Sequence, residues 1–209
     1  MSIHRDPTPC PACRLQGWLC VCSHAPRITT HTSLLLLVHV REWGRASNTA
    51  RLLTLAIRNA TRVCHGRLPL PPDPATHLPA DTTPLVLFPG RGARTLTPEL
   101  LASLPSPPAL IVPDGTWRQA LNMVKRIPLL AGATKVSLPM RAFSGREPRR
   151  NRAQSRMSTY EAVVQALALI EGEGIAGPLL DFYRRAVDRM LLVRGHLTLD
   201  EVHGGLDSR

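Results

Sequence analysis

Four of the five cysteines lie close together near the N-terminus, at Cys10, Cys13, Cys20 and Cys22. The spacing C-x2-C-x6-C-x-C forms two close pairs, and each pair can present two thiolates to one tetrahedral metal ion. We therefore predict a structural zinc site, with redox-active or unligated thiols as the alternative. Four protein ligands leave no open coordination position, so this metal would stabilise a fold and take no part in catalysis.

A second group with chemical potential is the turn Asp114-Gly115-Thr116-Trp117, which follows a short apolar run. Asp114 offers a carboxylate that can act as a base or bind a cation. The same residue type also caps helices by accepting hydrogen bonds from the amides that follow it, and the residues alone favour this cap. Trp117 is either a core anchor or a surface on which a nucleobase stacks.

A strongly basic segment follows, in which six arginines fall within sixteen residues and Glu147 is the one acid: Arg141, Arg146, Arg149, Arg150, Arg152 and Arg156. A charge run of this kind is ordinarily a solvated loop. Because this one directly follows a predicted strand end, we predict that it contacts RNA phosphates. Arg118 and Lys125, on the helix after the Asp-Gly-Thr-Trp turn, would extend the same surface.

The overall charge also indicates a polyanionic partner, since 26 basic residues oppose 15 acidic ones and the formal net charge is +11. An excess of this size is typical of proteins that bind nucleic acid. A GC-rich codon bias explains why Lys125 and Lys135 are the only lysines, but it does not explain the net charge. The sequence contains no run of about 20 apolar residues and no apolar leader, so we expect a cytoplasmic protein with no membrane partner.

Short strands and helices alternate along the chain and would position these residues. Apolar runs predict buried strands at 32–40, 84–88, 109–112 and 135–138, and capped or periodic patterns predict helices at 48–59, 116–125, 158–170 and 178–193, with a short one from Thr97. This alternation predicts an α/β domain with a mostly parallel sheet flanked by helices. Residues 68–84 contain six prolines and are predicted to form a loop.

Ligands of such sheets bind at the carboxyl ends of the strands, where three loops are expected to meet. These loops are residues 88–92, residues 113–117, and the segment that begins at Leu138. Gly90 and Gly92 would allow backbone amides to approach a ligand, or would serve as ordinary turn residues. Their spacing matches neither a dinucleotide-binding fingerprint nor a Walker loop.

The run from Ile111 to Ala120, Ile-Val-Pro-Asp-Gly-Thr-Trp-Arg-Gln-Ala, resembles the signature of the DTW-domain family. Further elements similar to that family are the paired cysteines, His39-x-x-Glu42 with Asn48-Thr49, and Ser158-Thr159-x-Glu161-Ala162. Their order covers roughly residues 10 to 170. After Leu138 the chain departs from the family pattern, because Ser144-Gly145-Arg146 stands where members carry Ser-Tyr-x-hydrophobic-Arg.

The resemblance implies a fold related to the SPOUT RNA-modifying enzymes, with a trefoil knot around an S-adenosylmethionine site. It also implies transfer of the 3-amino-3-carboxypropyl group of S-adenosylmethionine to the ring imino nitrogen of a tRNA uridine in the variable loop. The positions that match imply catalytic roles for Asp114, Thr116 and Trp117. They imply cofactor binding by Phe88, Pro89, Gly90, Pro113, Asp114, Gly115, Leu138, Ser158, Thr159 and Glu161.

Asp114 is the residue that we expect to accept the uracil imino proton, because the nitrogen is a poor nucleophile while it is protonated. Its alternative role is to bind the ammonium of the cofactor. Glu161 is first the partner of Ser158 in a helix-capping box, and its position in the family element also implies a cofactor contact.

We predict a cysteine-rich zinc-binding segment at 1–30, a catalytic domain at 31–194 and a polar tail at 195–209. Two other functions are compatible with the same residues. One is a SPOUT-type RNA methyltransferase, which would differ in the carbon of the cofactor that faces the base. The other is a zinc-stabilised RNA-binding module without catalysis. Whether the protein is a monomer or a homodimer is left open.

Overall fold

The computed structural model describes residues 7–45, 47–67, 73–139 and 157–206. The predicted alternation of strands and helices is confirmed, and the elements in chain order are β1 (Ser33–His39), α1 (Val40–Trp43), α2 (Ala50–Ala56), β2 (Ala60–His65), β3 (Thr83–Leu87), β4 (Arg94–Thr95), α3 (Pro98–Ala102), β5 (Pro108–Asp114), α4 (Trp117–Arg126), α5 (Pro128–Gly132), β6 (Thr134–Ser137), α6 (Thr159–Glu171) and α7 (Ala176–Val193). No helix within these described ranges is long and apolar enough to cross a membrane.

The six strands form one sheet in the order β2-β1-β5-β3-β6-β4, and every described pairing is parallel. This confirms the predicted α/β class with a parallel sheet. In β1, the five consecutive residues from Leu34 to Val38 are at most 1% exposed. A strand can bury consecutive residues only when helices cover both faces of its sheet, and β1 therefore lacks the polar–apolar alternation of a half-exposed strand.

The two faces of β1 enter two separate cores. Leu34 and Leu36 pack in a core that also contains buried residues of α2, α6 and α7. Leu35 and Leu37 pack in a second core with residues of α4 and α5. Apolar residues of the cysteine segment, Leu15, Leu19 and Val21, belong to the first core. The N-terminal cysteines are thus built into the same side of the sheet as α6 and α7.

Four short elements were not predicted, namely α1, β2, β4 and α5. In β2 only Val63 is buried, because the strand lies at the sheet edge, so its sequence Ala-Thr-Arg-Val-Cys-His shows little apolar patterning. The predicted helix 48–59 is shorter than expected and ends at Ala56. It ends there because Ile57 forms a bridge with Ile28, whose carbonyl accepts from the amide of Arg58 at 2.8 Å.

Strand β5 is longer than its predicted span of 109–112 and includes Pro113 and Asp114. β5 pairs with β3 only as far as Ile111, whereas its pairing with β1 continues to Asp114. Pro113 therefore lies where the ladder on one side has already ended, a position that tolerates a residue without an N–H. As a result, Asp114 is held at the end of a central strand and is not a mobile turn residue.

Candidate active site

Asp114 is the centre of the candidate site and is only 5% exposed. The Nδ2 of Asn48 donates to its Oδ2 at 2.5 Å, and the Oγ1 of Thr159 donates to its Oδ1 at 2.6 Å. Two donors fix the orientation of the carboxylate, while each oxygen can still accept a second hydrogen bond. The three residues come from the three separated sequence elements identified above, and the fold brings them together at one carboxylate.

Each donor is itself positioned by the start of a helix. The Oδ1 of Asn48 accepts from the amide of Ala50 at 3.1 Å, which directs its Nδ2 away from α2 and toward Asp114. Thr159 is the first residue of α6, directly after the cap Ser158. The predicted capping box is confirmed, because the amide of Ser158 donates to Glu161 Oε2 at 2.8 Å and the amide of Glu161 donates to Ser158 Oγ at 3.2 Å.

The cap of α4 is Thr116 and not Asp114, so the interpretation of Asp114 as a cap was wrong. The amide of Thr116 donates to Gln119 Oε1 at 2.7 Å, and the amide of Gln119 donates back to Thr116 Oγ1 at 3.4 Å. A Cβ on Gly115 would lie 2.9 Å from that Gln119 oxygen and 3.3 Å from the Cβ of His39. Gly115 therefore allows the end of β5 to pass between the end of β1 and the start of α4.

Trp117 and Phe88 form a stacked aromatic pair beside this turn. Their ring centroids are 4.6 Å apart and the planes are inclined by 22°. Phe88 is buried, whereas 53% of Trp117 is exposed, so Trp117 is not a core anchor. A Cβ on Gly90 would lie 2.8 Å from the Phe88 ring, which explains the small residue at this position. Pro89 is exposed beside the pair, and Leu138 is half-buried after the end of β6.

Arg62, which the sequence did not single out, also belongs to this region. Its guanidinium lies 4.1 Å from the centroid of the Trp43 ring. Within the described part of the chain, its buried Nη1 has no hydrogen-bond partner. Burial lowers the pKa of Arg62, as does the positive charge of Arg14, while the negative charge of Asp114 opposes that shift. Arg62 was missed because strand β2, which carries it, was not predicted from the sequence. A prediction of that strand would have placed Arg62 beside β1.

His39 and His65 end the neighbouring strands β1 and β2 and are paired in register. Burial lowers the pKa of His65, and the nearby His39 lowers it further. The Nδ1 of His39 also accepts from the amide of Arg41 and thereby caps α1. These contacts assign His39 a local structural role at the same edge of the sheet as Asp114.

The four N-terminal cysteines form one cluster, as predicted, with all four sulfurs within 4.8 Å of one another. The Cys10 and Cys22 sulfurs are 3.7 Å apart, and those of Cys13 and Cys20 are 3.8 Å apart. A tetrahedron of sulfurs about 2.3 Å from a zinc ion has edges of about 3.8 Å, so these distances fit a four-thiolate metal site. The fifth cysteine, Cys64, lies in β2.

The thiols of the cluster differ in acidity. Burial raises the pKa of Cys13 and of Cys22. At Cys10 burial also raises the pKa, but hydrogen bonds involving the backbone of Cys13 and Ala12 outweigh it and bring the value to about 7. Because a metal binds the thiolate form, loading of this cluster is expected to release protons.

Two buried arginines anchor the cysteine loop. Arg51 of α2 is 2% exposed, and its Nε donates to the carbonyl of Cys13 at 2.6 Å. Arg189 of α7 is 1% exposed, and its Nη1 donates to the carbonyl of Cys20 at 2.5 Å. Its Nη2 lies 3.3 Å from Nε2 of His24. The net charge predicts a polyanionic partner, but these two arginines contribute buried contacts to backbone carbonyls instead.

The predicted RNA-binding residues fall into two groups. Arg118 and Lys125 are exposed on α4, the helix that begins at Trp117. The six arginines of the predicted basic segment lie outside the described residues: Arg141, Arg146, Arg149, Arg150, Arg152 and Arg156. In the described surface, two depressions lie away from Asp114, one between α6, α7 and Pro139 and the other beside His31 and Glu171.

Comparison with known proteins adds a family assignment. The DTW domain matches residues 8–191. The tRNA-uridine aminocarboxypropyltransferase A of Arabidopsis thaliana is 30% identical over 193 residues, covering 79% of this chain and 73% of the relative. The tRNA-uridine aminocarboxypropyltransferase 2 of Macaca fascicularis is 27% identical over 168 residues, and that of Mus musculus is 26% identical over 182 residues. Each of these two matches covers 78% of this chain and 56% of the mammalian relative.

No solved structure matches the chain. The domain match covers both the cysteine cluster and the Asn48–Asp114–Thr159 network, and the chain therefore belongs to the DTW-domain family.

Proposed function

We propose that this protein transfers the 3-amino-3-carboxypropyl group of S-adenosylmethionine to the ring imino nitrogen of a tRNA uridine. The observation that carries this proposal is the meeting of Asn48, Asp114 and Thr159 at the carboxyl edge of a parallel sheet. Support for the reaction type comes from relatives that are named for this transfer to tRNA uridine. The plant relative is covered over 73% of its length.

The donors and acceptors at this edge fit S-adenosylmethionine. The methionine end of that cofactor carries an ammonium and a carboxylate. Arg62 has a buried donor that the carboxylate would satisfy, and Asp114, in the alternative to its role as base, offers acceptor sites to the ammonium. We propose that the cofactor is held by the three strand-end loops and the start of α6: Phe88, Pro89, Gly90, Pro113, Asp114, Gly115, Leu138, Ser158, Thr159 and Glu161.

The chemistry of the transfer assigns distinct roles to the protein residues. When bound, S-adenosylmethionine supplies a sulfonium-linked methylene, and a bond from the uracil nitrogen to this carbon forms as the sulfur–carbon bond breaks, yielding methylthioadenosine and a proton. Asp114, held by Asn48 and Thr159, accepts that proton from the imino nitrogen. The exposed face of Trp117 stacks on the base, and Phe88 supports the opposite face. Thr116 contributes by capping α4 and so fixing Trp117.

Recognition of the tRNA is proposed to depend mainly on its phosphates. Arg118 and Lys125 are exposed on the helix that also carries Trp117, so cations and a stacking surface share one side of the site. Arg146, Arg149, Arg150, Arg152 and Arg156 would add to this charge from the segment that follows β6. We propose a uridine in the variable loop as the target.

We further propose that the cysteine cluster holds structural zinc, since its sulfur–sulfur distances match a tetrahedral four-thiolate site. The test is a measurement of the zinc content of the purified protein. We expect one ion per chain in the wild type and loss of that ion in Cys10→Ser. A protein that holds no metal would refute the zinc site. The trefoil knot of SPOUT enzymes is likewise a proposal, and the all-parallel sheet is compatible with it. The division into segments 1–30, 31–194 and 195–209 is also a proposal, in which the first segment packs against the core of the second.

The decisive experiment is incubation of the purified protein with tRNA and S-adenosylmethionine, followed by digestion and mass analysis of the nucleosides. A uridine heavier by one aminocarboxypropyl group is expected. A uridine heavier by one methyl group would show a methyltransferase and refute the proposed group. No gain of mass on any tRNA, together with RNA binding, would favour a non-catalytic module.

A further inference from the structure

One side chain joins the cysteine cluster to the candidate active site. The Nε of Arg51 donates to the carbonyl of Cys13, one of the four cluster ligands, at 2.6 Å. The Nη1 of the same guanidinium donates to the carbonyl of Asn48 at 2.5 Å and to that of Arg45 at 2.9 Å. Asn48 then donates through Nδ2 to Asp114. The path from a metal-binding residue to the catalytic carboxylate therefore passes through only two intervening side chains.

From this path we infer that Arg51 is a positioning residue, which couples the cysteine cluster to Asp114 by holding Asn48 in place. The inference rests on the proposed function, because it concerns the carboxylate to which that function assigns proton transfer. Loss of the metal would then slow the transfer although the metal touches no reacting atom. The proposal adds a mechanical connection through Arg51 to the expectation from the sequence that the cysteines stabilise the fold.

Arg51 is suited to this role by its burial and its geometry. It is 2% exposed, so water does not compete strongly for its donors. Burial lowers its pKa to about 10, and it stays protonated at neutral pH. A planar guanidinium holds several donors in a fixed arrangement, so carbonyls bound to different nitrogens are kept at a fixed separation. Displacement of Cys13 would consequently be transmitted to the segment of Arg45 and Asn48.

The described backbone hydrogen bonds around Asn48 are short-range, which makes this segment sensitive to Arg51. Its described backbone hydrogen bonds include Asn48 amide to Arg45 carbonyl at 3.1 Å and Arg45 amide to Glu42 carbonyl at 3.2 Å. These are single-turn contacts in a loop between α1 and α2. In the described residues, the charged hydrogen bonds from Arg51 connect this loop to the carbonyl of Cys13.

Arg189 provides the matched control, because it anchors the same loop by a different route. It binds the carbonyl of Cys20 from α7, whereas Arg51 binds that of Cys13 from α2. Removing either guanidinium should weaken metal retention by the cysteine loop. Only the removal of Arg51 should also release the carbonyl of Asn48.

The first test measures hydrogen exchange in the full chain, with its metal bound and after chelation. In the wild type, chelation should accelerate exchange by roughly tenfold or more in residues 45–52 as well as in residues 10–22. Exchange in α4, on the opposite face of the sheet, should change little. In Arg51→Met, residues 45–52 should exchange rapidly even with metal bound. Unchanged exchange in residues 45–52 after metal loss would overturn the coupling.

The second test measures kcat and KM of metal-loaded Arg51→Lys, Arg51→Met and Arg189→Met. Loss of a group that orients a catalytic residue is expected to lower kcat on the order of 10- to 100-fold, with little change in the KM for tRNA. Arg51→Lys keeps the positive charge but not the fork of donors, so its kcat should also fall. This variant tests the proposal if Arg51→Met does not fold. Arg189→Met should keep kcat within about twofold once metal is bound. An equal loss of kcat in Arg189→Met would overturn the proposal. If no variant and no wild-type protein transfers the group, the proposed function fails, while the hydrogen-exchange result still decides the coupling.

Discussion

Replacing Asp114 by asparagine keeps the shape of the side chain and exchanges one acceptor oxygen for an NH2 group. In the native site both oxygens accept, Oδ2 from Asn48 and Oδ1 from Thr159. The threonine hydroxyl can still donate to the remaining amide oxygen. The Asn48 amide then faces a second NH2 group, and it cannot simply rotate, because its own Oδ1 already accepts from Ala50. The variant therefore loses stability as well as charge.

The magnitude follows from these two contacts. A hydrogen bond to a charged group contributes about 1.5–3 kcal/mol, a neutral one about 1 kcal/mol, and a buried donor without a partner costs about 1–3 kcal/mol. One weakened contact and one lost contact together give a destabilisation of about 3 kcal/mol. For a domain of this size, that corresponds to a fall in Tm of roughly 6–12 °C. Transfer should fall by about 10²–10⁴-fold if Asp114 is the base.

The assay combines urea unfolding with nucleoside mass analysis of treated tRNA, both at a temperature where the variant is folded. A double variant that exchanges the two residues, Asn48→Asp with Asp114→Asn, is the control. It restores one acceptor opposite one donor, so about half of the lost stability should return, whereas transfer should not. Wild-type stability of Asp114→Asn would refute the hydrogen-bond network. Wild-type transfer by either variant would refute the role of Asp114 as base.

Three further results are expected. Trp117→Ala should lower kcat/KM for tRNA by about 5- to 150-fold, because base stacking contributes about 1–3 kcal/mol. Unfolding measurements should show a loss of only about 1 kcal/mol, from the contact with Phe88. Unchanged kinetics would contradict stacking. Arg62→Met should raise the Kd for S-adenosylmethionine in calorimetry. Its stability should fall by no more than about 1 kcal/mol, since it loses the contact with Trp43 but removes a buried donor that lacks a described partner. Unchanged affinity would exclude Arg62 from the site. Arg118→Ala combined with Lys125→Ala should reduce the salt dependence of tRNA binding by about two phosphate contacts, and an unchanged slope would place the RNA elsewhere.

The parts of the fold that the sequence predicts are those with strong local signals. Strand β1 is a continuous apolar run, and helices α4 and α6 begin at capping boxes that the structure contains. Strand β2 was missed because a strand at the sheet edge with one buried residue, Val63, has almost no apolar period. The end of α2 was misplaced because it depends on the pairing of Ile57 with Ile28, a tertiary contact that no local pattern encodes.

In the candidate site too, the sequence predicted the residues in motifs but not the tertiary contacts between them. The sequence motifs named Asn48, Asp114 and Thr159, but their separation along the chain hid the fact that two of them are donors to the third. Arg51 was not singled out from the sequence, and its contacts are with the backbone carbonyls of Cys13 and Asn48. A long polar side chain can be exposed to solvent, bind RNA or be buried in the fold. For Arg51, the packing of α2 against the cysteine loop determines that it is buried.

The anchoring of the cysteine loop by α7 has a consequence for how the protein is made. Cys20 is separated by 169 positions from Arg189, the residue that binds its carbonyl. A nascent chain therefore exposes its thiols long before the helix that secures them has left the ribosome. During that interval the loop cannot complete its burial, because contacts between such distant positions form slowly. If the cluster holds zinc as proposed, metal captured in that interval would keep the four thiols from oxidation until α7 secures the loop.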